Sequence, residues 1–298
     1  MSDRRPTPLT VARVGYGAST NAGDAIQSLA LENAVGRRLL TVDRQALDRD
    51  CEALRPDLLI VNGWYDTHAE DLAKIPPWQQ TRFVGLRIDP SLSQTTLLTT
   101  PAMRQLFSQH PVGCRDRATF EWFDAAGIAA WWSGCVTSTL PLRARTATQT
   151  EVLIVDVGDD VPLPDRIRSR GRHLTHALPV GTADAQQMTA ADDLLRTYRD
   201  HAALVVTTRL HAALPCVAMG VPVVLFAPPK DTRFTAISML GVRPVDRPVG
   251  MRRRLILAGI GRSSTAARYE RTIDWRGASP ERTPTADALS DYLASLID

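Results

Sequence analysis

The sequence predicts an α/β protein built from two similar halves, and two of its features support this fold class. Short hydrophobic runs alternate with helical patterns along most of the chain, which is typical of parallel sheets covered by helices. The alternation stops in a polar stretch, residues 142–150, and then starts again. We therefore expect two Rossmann-like domains that face a cleft, an N-terminal one over residues 9–145 and a C-terminal one over residues 146–298.

The first half begins with an apolar run, a loop that contains three glycines and a helical pattern, which is the opening unit of an open α/β sheet. The predicted strands of this half are residues 9–16, 39–42, 58–65 and 81–88, with a short strand end at 112–116. Two later segments have helical patterns, residues 97–110 and 118–128, and Gly127 is expected to close the second.

The second half repeats the same alternation. Its predicted strands are residues 151–158, 173–180, 203–209 and 221–228, the last being the final strand. Its predicted helices are a short one or a turn at 161–171, a long one at 185–201, one at 210–220 and an amphipathic terminal helix at 285–297.

Composition and charge exclude several classes of protein. The net charge of +3 is small, and the densest basic run, residues 252–254, has only three arginines, so no nucleic-acid partner is expected. No stretch approaches 18 apolar residues, and the N-terminus lacks a signal peptide. The four cysteines form no CxxC pair, which argues against a zinc ribbon or a disulfide framework. These features predict a cytoplasmic protein without a transmembrane segment.

The sequence also lacks the usual signatures of metal and cofactor sites. It has no HExxH, no GxSxG and no paired set of histidine and cysteine ligands, so neither a metal nor a cofactor is expected. It is compatible with an oligomer but does not indicate one.

The strongest chemical signal is the turn between the predicted strand 203–209 and the helix after it. This turn places the guanidinium of Arg209, the imidazole of His211 and a helix N-terminus at one edge of the cleft. Arginine and helix N-termini both bind phosphate or carboxylate, and a histidine can transfer protons near neutral pH. On position alone, an equally good interpretation is purely structural. In it, Arg209 forms an ion pair with a helix carboxylate, and His211 is only a residue of the helix N-terminus.

The loop after the first strand has a similar composition. Its glycines, hydroxyls, Asn21, Gly23 and Asp24 could line a site for an anion or a sugar, although the spacing matches neither GxGxxG nor a Walker sequence. The alternative is a tight turn in which Asp24 caps the following helix.

Three further segments carry candidate residues. Arg115 follows a strand end and could face the cleft while Asp116 caps a helix, or it could be an ordinary surface arginine. Ser133 and Thr137 belong to a hydroxyl-rich segment that would bind a sugar or phosphate, or form an interdomain turn. Lys230 lies just past a strand end, where its ammonium could meet a phosphate.

Taken in order, several motifs resemble the polysaccharide pyruvyl transferase family. They are NAGD at 21–24 with Gln27 and Ala30, VNGW at 61–64, GCRDRAT at 113–119, GIAAWWSGCVTSTL at 127–140, TTRLHAALPCVAMGVPVVLF at 207–226, and Lys230. The ordered set is much more specific than any single member.

The resemblance implies a GT-B-like arrangement of the two domains and a transfer of pyruvyl from phosphoenolpyruvate onto two hydroxyls of a sugar. The product would be a cyclic ketal, and phosphate would be released without a metal. The implied partners are phosphoenolpyruvate and a sugar, glycan or lipid-linked saccharide acceptor.

The resemblance also implies roles for individual residues. Arg115 and Arg209 would hold the phosphate and carboxylate of the donor, and Leu210 would belong to the same donor-binding turn. His211 would be the catalytic histidine, and Lys230 a lysine important near the donor. Two other functions compete with this one: a GT-B-like glycosyltransferase that uses a nucleotide sugar, and a sugar- or anion-binding homologue without catalysis.

Overall fold

Two parallel β-sheets form the frame of the protein in a computed structural model. The structure describes residues 9–67, 69–89, 95–159, 161, 163–247, 273–278 and 283–297. The arginine run at 252–254 lies outside these residues. Among the helices of the described residues, none is long and apolar enough to cross a membrane.

The first sheet has six strands in the order β2-β1-β3-β4-β5-β6, and every neighbouring pair is parallel. The strands are β1 Val11–Gly15, β2 Leu40–Asp43, β3 Leu58–Trp64, β4 Thr81–Arg87, β5 Val112–Cys114 and β6 Ala130–Trp132. The helices between them are α1 Ala22–Val35, α2 Leu47–Leu54, α3 Pro101–Ser108 and α4 Arg117–Ala125.

The second sheet has five parallel strands in the order β11-β10-β9-β7-β8. The strands are β7 Glu151–Val155, β8 Arg172–Leu174, β9 Ala202–Thr207, β10 Val223–Ala227 and β11 Val245–Asp246. The helices are α5 Asp165–Arg168, α6 Asp184–His201, α7 Leu210–Ala218, α8 Thr235–Ser238 and the terminal α9 Pro284–Ser295.

Two expectations about the second sheet are wrong. The segment 221–228 is not the final strand, because β11 follows it, and two residues are too few to give a strand pattern in a sequence. The predicted strand 173–180 is observed only as Arg172–Leu174. Its later residues leave the sheet and pair with the first half, where Ala177 forms an antiparallel bridge with Asn21.

The start of α1 also differs from the expectation that Asp24 caps it. Asn21 is the N-cap residue, with extended backbone, and its side-chain oxygen accepts from the N–H of Gly23 at 3.2 Å. Asp24 instead lies in the first turn of the helix. The expected cap of α4 is confirmed, because the Asp116 carboxylate accepts from the N–H of Thr119 at 3.1 Å.

The two halves share a hydrophobic core. Helix α1 packs against α6 and α7 from the second half, and the terminal helix α9 returns to pack against α1 and the 3₁₀ turn Val136–Thr139. The rings of Trp131 and Tyr292 meet edge to face at 5.3 Å. The domain boundaries at 9–145 and 146–298 stay a prediction.

The strand orders locate the cleft. The second sheet follows the order 2-1-3-4-5 of a common doubly wound fold, and the first sheet follows the same order with a sixth strand added. In this fold the order of the strands reverses between the first and third strands. Ligands of such sheets bind beyond the carboxyl ends of those two strands. The predicted fold class, α/β with two Rossmann-like parallel sheets, is confirmed.

Candidate functional site

A cavity of about 740 Å³ lies between the carboxyl ends of the two sheets. Residues of the first half that line the cavity come from the loop that follows β1 and from the carboxyl ends of β2, β3 and β5. The second half contributes side chains beyond β7, β8, β9 and β10. The cavity therefore includes both points where the strand order reverses, the position at which doubly wound sheets bind ligands.

The turn after β9 lies in the cavity as the sequence predicts. Arg209 is the N-cap residue of α7, and its N–H donates to the Thr207 hydroxyl at 2.9 Å. Leu210 and His211 are the first residues of the helix, and both line the cavity together with Arg209. The unpaired N–H groups of the first helical turn therefore face the same space as the guanidinium.

Asp156 holds Arg209 in place from the neighbouring strand. It follows β7 directly, has a left-handed backbone with φ of 50°, and accepts from Nε of Arg209 at 2.9 Å. Its Oδ2 also accepts from the His176 N–H at 3.0 Å. Burial alone would raise the pKa of Asp156, but hydrogen bonds from Thr175 and His176 and the charge of Arg209 hold it below its ordinary value. Asp156 is therefore a charged anchor for Arg209.

Arg115 is the most unusual charged group of the cavity. Only 2% of it is exposed, and its Nε and Nη1 are buried without a hydrogen-bond partner. The turn between β5 and α4 fixes its backbone, since its N–H donates to the carbonyl of Leu86 at 2.8 Å. A buried, unsatisfied guanidinium costs folding free energy, so its presence in a cavity indicates a binding site for an anion.

His211 lines the same cavity as Arg115, but from the second half of the protein. Burial lowers the pKa of His211 well below its ordinary value, and the positive charges of Arg115 and Arg233 lower it further. Its Nε2 lies 3.7 Å from the Cys135 thiol, whose pKa is raised by burial, so the thiol stays protonated near neutral pH. His211 is therefore a neutral imidazole near neutral pH.

The close approach of α1 and α7 fixes the position of His211. A Cβ atom added to Gly23 would lie 2.9 Å from Cβ of His211, so only glycine fits at this point of α1. The second half also holds the start of α1, because the carbonyl of His176 accepts from the Ala22 N–H at 2.8 Å. The two helix N-termini thus meet at the cavity.

A second histidine lines the cavity next to Asp156. His176 is fully buried, and its Nε2 lies 2.7 Å from the hydroxyl of Tyr198, while its Nδ1 has no partner. Burial lowers the pKa of His176 to about 4, Asp156 opposes this, and Arg209 adds to it. This imidazole is neutral at physiological pH.

Asn21 and Asp24 also line the cavity, and Gly23 packs beneath them against α7. The carboxylate of Asp24 accepts from the Ser19 hydroxyl at 2.6 Å. Burial raises the pKa of Asp24, although the bond from Ser19 and the charges of Arg44 and Arg115 act in the opposite direction.

Besides Gly23, three predicted site residues lie outside the cavity lining. Lys230 is exposed on the turn after β10, with a left-handed φ of 66°. Ser133 is fully buried, and its hydroxyl lies 3.2 Å from the Cys114 carbonyl and accepts from the Gly85 N–H at 3.0 Å. The Thr137 hydroxyl lies 3.2 Å from the sulfur of Cys135. The latter two hydroxyls are engaged with neighbouring protein groups.

Six further side chains line the cavity that the sequence did not indicate, namely Arg44, Trp64, Asp156, His176, Arg233 and Arg247. The signal for Asp156 was an acid directly after a buried strand. The VNGW motif contains Trp64, but nothing in the sequence gave it a role. Arg44 follows the edge strand β2 and has no local signal at all.

The charge of the cavity is strongly positive. Among the described residues that line it, five are arginines and two are aspartates. One of the aspartates, Asp156, already pairs with Arg209, and Arg233 pairs with Asp231 at 2.6 Å. An anionic ligand is therefore the chemical class that this cavity suits best.

The sequence model of the polysaccharide pyruvyl transferase family matches residues 21–229, well over half of the chain. No curated protein matches the chain.

Similar solved structures include an uncharacterised protein from Klebsiella pneumoniae, with 12% identity and a TM-score of 0.43 over 76% of this chain and 87% of the other. The glycosyltransferase SnogD from Streptomyces nogalater is also similar, with 12% identity and a TM-score of 0.37 over 97% of this chain and 100% of the other. These similarities do not bear on function.

Proposed function

The chain belongs to the polysaccharide pyruvyl transferase family, and from this premise we propose that it transfers a pyruvyl group from phosphoenolpyruvate onto two hydroxyls of a sugar. The acceptor would be a sugar of a polysaccharide or glycan precursor, free or lipid-linked, and the product a cyclic ketal. Phosphoenolpyruvate is a cytoplasmic metabolite, so the proposed reaction belongs in the cytoplasm.

The observation that carries this proposal is the buried guanidinium of Arg115, with Nε and Nη1 unpartnered at the cavity. A donor with a phosphate and a carboxylate offers acceptors to two arginines at once. Arg115 on the first half and Arg209 on the second are suited to hold these two groups, because each guanidinium binds such anions through two parallel hydrogen bonds.

The first turn of α7 adds a second anion-binding element. Its N–H groups at Leu210 and His211 have no partner within the helix, and the helix dipole favours a negative charge at this end. Because α7 starts at the guanidinium of Arg209, phosphate and helix terminus would meet at one place. This arrangement supports Leu210 as part of the donor-binding turn.

The chemistry requires protonation of the enol carbon of the donor, attack by a sugar hydroxyl, loss of phosphate and closure by a second hydroxyl. His211 is the residue best placed for proton transfer, and as a neutral imidazole it starts as a base. A positioned acid or base contributes about 10²–10⁴-fold to the rate. The arginines stabilise the charge on phosphate as it departs.

The acceptor side is the wall formed by the first half. Trp64 lies on this wall, and its indole N–H donates to Asp66 at 2.6 Å, which fixes the ring. A fixed aromatic face beside polar groups is a common way of holding a sugar ring. Asn21 and Asp24 lie on the same side, within reach of donor and acceptor alike.

The family resemblance also gives Lys230 a role near the donor. Its ammonium is exposed on the turn that precedes Asp231, and the same segment carries Arg233 and Phe234 into the cavity lining. Lys230 would reach the donor phosphate from the rim. Ser133 and Thr137 would act by supporting the segment that carries Cys135, which contacts His211.

The test of this function is product release. Phosphate release from phosphoenolpyruvate, in the presence of a panel of simple sugars with free diols, is the expected result. Release of a nucleotide from a nucleotide sugar would indicate a GT-B-like glycosyltransferase instead, with Arg209 and Lys230 on the diphosphate. Sugar binding with no binding of either donor would indicate a non-catalytic homologue.

A further inference from the structure

The proposed reaction needs an acid as well as a base, and His211 alone does not supply both. The enol carbon must receive a proton at the start, yet His211 is neutral in the free protein and has no proton to give from an imidazolium. A second group must therefore carry the first proton. Among the described residues that line the cavity, one carboxyl group has no charged partner in hydrogen-bond contact, that of Asp24.

Asp24 occupies a rigid position beside the reaction centre. It follows Gly23, where an added Cβ atom would lie 2.9 Å from Cβ of His211, and it belongs to the first turn of α1. The other half of the protein holds this turn through the bond from the Ala22 N–H to the His176 carbonyl. A carboxyl group on this turn keeps a fixed distance from the α7 terminus.

The surroundings of Asp24 accept both of its protonation states. Its carboxyl oxygens contact two neutral groups, the Ser19 hydroxyl at 2.6 Å and the Gln27 amide at 3.4 Å. The Ser19 hydroxyl also lies 3.4 Å from the carbonyl of Asn21, so it has a second acceptor when Asp24 is protonated. Ser19 can therefore donate to a carboxylate or accept from a carboxylic acid.

We propose that Asp24 is the acid that protonates the methylene carbon of the donor, while His211 is the base that removes the proton of the attacking sugar hydroxyl. This assignment rests on the proposed function. The burial that raises the pKa of Asp24 and lowers the pKa of His211 separates the two groups in the direction that this division requires.

The protons and electrons balance as follows. Asp24 gives its proton to the methylene carbon, which becomes a methyl group and leaves an oxocarbenium-like centre at C2. The first sugar oxygen bonds to C2, and its proton passes to His211. The bond from C2 to the phosphate oxygen breaks, and phosphate leaves with the electron pair and the proton from His211. The second sugar oxygen closes the ketal, and its proton restores Asp24.

The arginines connect the two groups. Arg115 acts electrostatically on both Asp24 and His211, since its charge lowers the pKa of each. A donor anion on Arg115 would lie in the cavity that Asp24 and His211 also line. Such an anion would offset the Arg115 charge and raise the pKa of Asp24 further, so that the acid keeps its proton in the complex.

Several charged or titratable groups lie near Asp24, and the two histidines of the cavity, His176 and His211, have pKa values that burial lowers. The charged and titratable groups that act on it are Arg44 beyond β2, Arg115 beyond β5 and Tyr16 at the end of β1. Burial raises the pKa of Tyr16 well above its ordinary value, so its hydroxyl stays neutral. A change of donor affinity with pH that is lost in the Asp24→Asn variant is therefore assigned to the titration of Asp24.

The test measures the affinity for phosphoenolpyruvate by calorimetry from about pH 5 to about pH 8, which needs no acceptor. A carboxylate repels the donor anion, so wild-type affinity should fall as the pH rises through the titration of Asp24. Asp24→Asn mimics the protonated acid and should keep the low-pH affinity throughout. Phosphate release by Asp24→Asn should fall at least ~100-fold.

Three variants separate this role from others. Ser19→Ala removes a bond that favours the carboxylate, so the affinity step should move to higher pH. His211→Asn should lose turnover, but its affinity for the donor should still fall as the pH rises through the titration of Asp24. Asp165→Asn, an exposed aspartate in the first turn of α5, is the matched control and should match the wild type.

The outcomes are distinguishable. An Asp24→Asn protein with the wild-type pH profile of affinity, or with phosphate release within about twofold of wild type, would overturn the role of Asp24 alone. A wild-type protein that does not bind phosphoenolpyruvate would overturn the proposed function and this role together.

Discussion

Asp156 accepts a hydrogen bond from Nε of Arg209 at 2.9 Å, and this contact determines which side of the guanidinium is available. With Nε turned toward Asp156, the outer nitrogens of Arg209 are left for the cavity that the residue lines. The contact joins the ends of β7 and β9, the two strands between which the second sheet changes direction. Asp156 is thus a positioning residue for the proposed donor site.

Replacing Asp156 by asparagine should weaken donor binding without unfolding the protein. Asparagine tolerates the left-handed backbone at φ of 50° and keeps one acceptor oxygen, but it loses the charge that strengthens the bond to Arg209. We expect the dissociation constant for phosphoenolpyruvate, measured by calorimetry, to rise about five- to tenfold. Asp159→Asn serves as control, since Asp159 is fully exposed beside Arg168; equal affinities in the two variants would refute the positioning role.

Replacing Arg115 by methionine should make the empty protein more stable and the site inactive. The variant removes a buried cation with two unpartnered nitrogens, which should add about 1–3 kcal/mol to the free energy of unfolding. Affinity for phosphoenolpyruvate should fall at least ~30-fold, because the anion loses a buried partner. Thermal unfolding and calorimetry measure both effects; a less stable variant that still binds the donor would mean that Arg115 is structural.

Replacing Gly23 by alanine should disturb His211 through packing alone. The new methyl group would lie 2.9 Å from Cβ of His211, so α1 and α7 must separate at the cavity. We expect a loss of about 1–3 kcal/mol in the free energy of unfolding and at least ~10-fold in turnover.

The matched control for this variant is Gly36→Ala at the other end of α1. Gly36 has a left-handed φ of 74° and open space around it, so alanine there costs about 1 kcal/mol of backbone strain without touching His211. Turnover should survive in this control. If both variants lose turnover equally, the contact between Gly23 and His211 is not the cause.

Donor binding should raise the pKa of His211, so that at acid pH the complex takes up a proton there, while at pH 7 the imidazole stays the neutral base. In the free protein burial and the charges of Arg115 and Arg233 lower the pKa of His211, so the imidazole is neutral at pH 7. A bound anion favours the imidazolium and raises this pKa, so the complex binds more protons than the free protein as the pH approaches it. Calorimetry in two buffers of different ionisation enthalpy measures the uptake, which His211→Asn should abolish; an unchanged uptake in that variant would assign it elsewhere.

The sequence predicted those features that depend on neighbours along the chain. The strand, the turn and the helix around Arg209 and His211 are contiguous, so their order alone places both side chains in the cleft. The cap at Asp116 is equally local. The same reasoning chose Asp24 over Asn21 as the cap of α1, because a carboxylate close to a helical pattern is a good signal and cannot distinguish a cap from a first-turn residue.

Features that depend on the order of strands could not be predicted. Asp156 meets Arg209 only because β7 and β9 are neighbours in the sheet, although the two residues are 53 positions apart along the chain. The predicted strand 173–180 was too long because its second part pairs with the first half through Ala177. Ser133 carried a hydroxyl of the right type, but backbone groups engage it inside the first half.

The most direct test of the central claim is a crystal structure of the protein with phosphoenolpyruvate. The donor should lie between the two halves, with its phosphate and carboxylate on Arg115 and Arg209 and its methylene carbon toward Asp24 and His211. A cavity that excludes phosphoenolpyruvate and instead holds a nucleotide sugar, with its diphosphate on Arg209, would contradict the assignment.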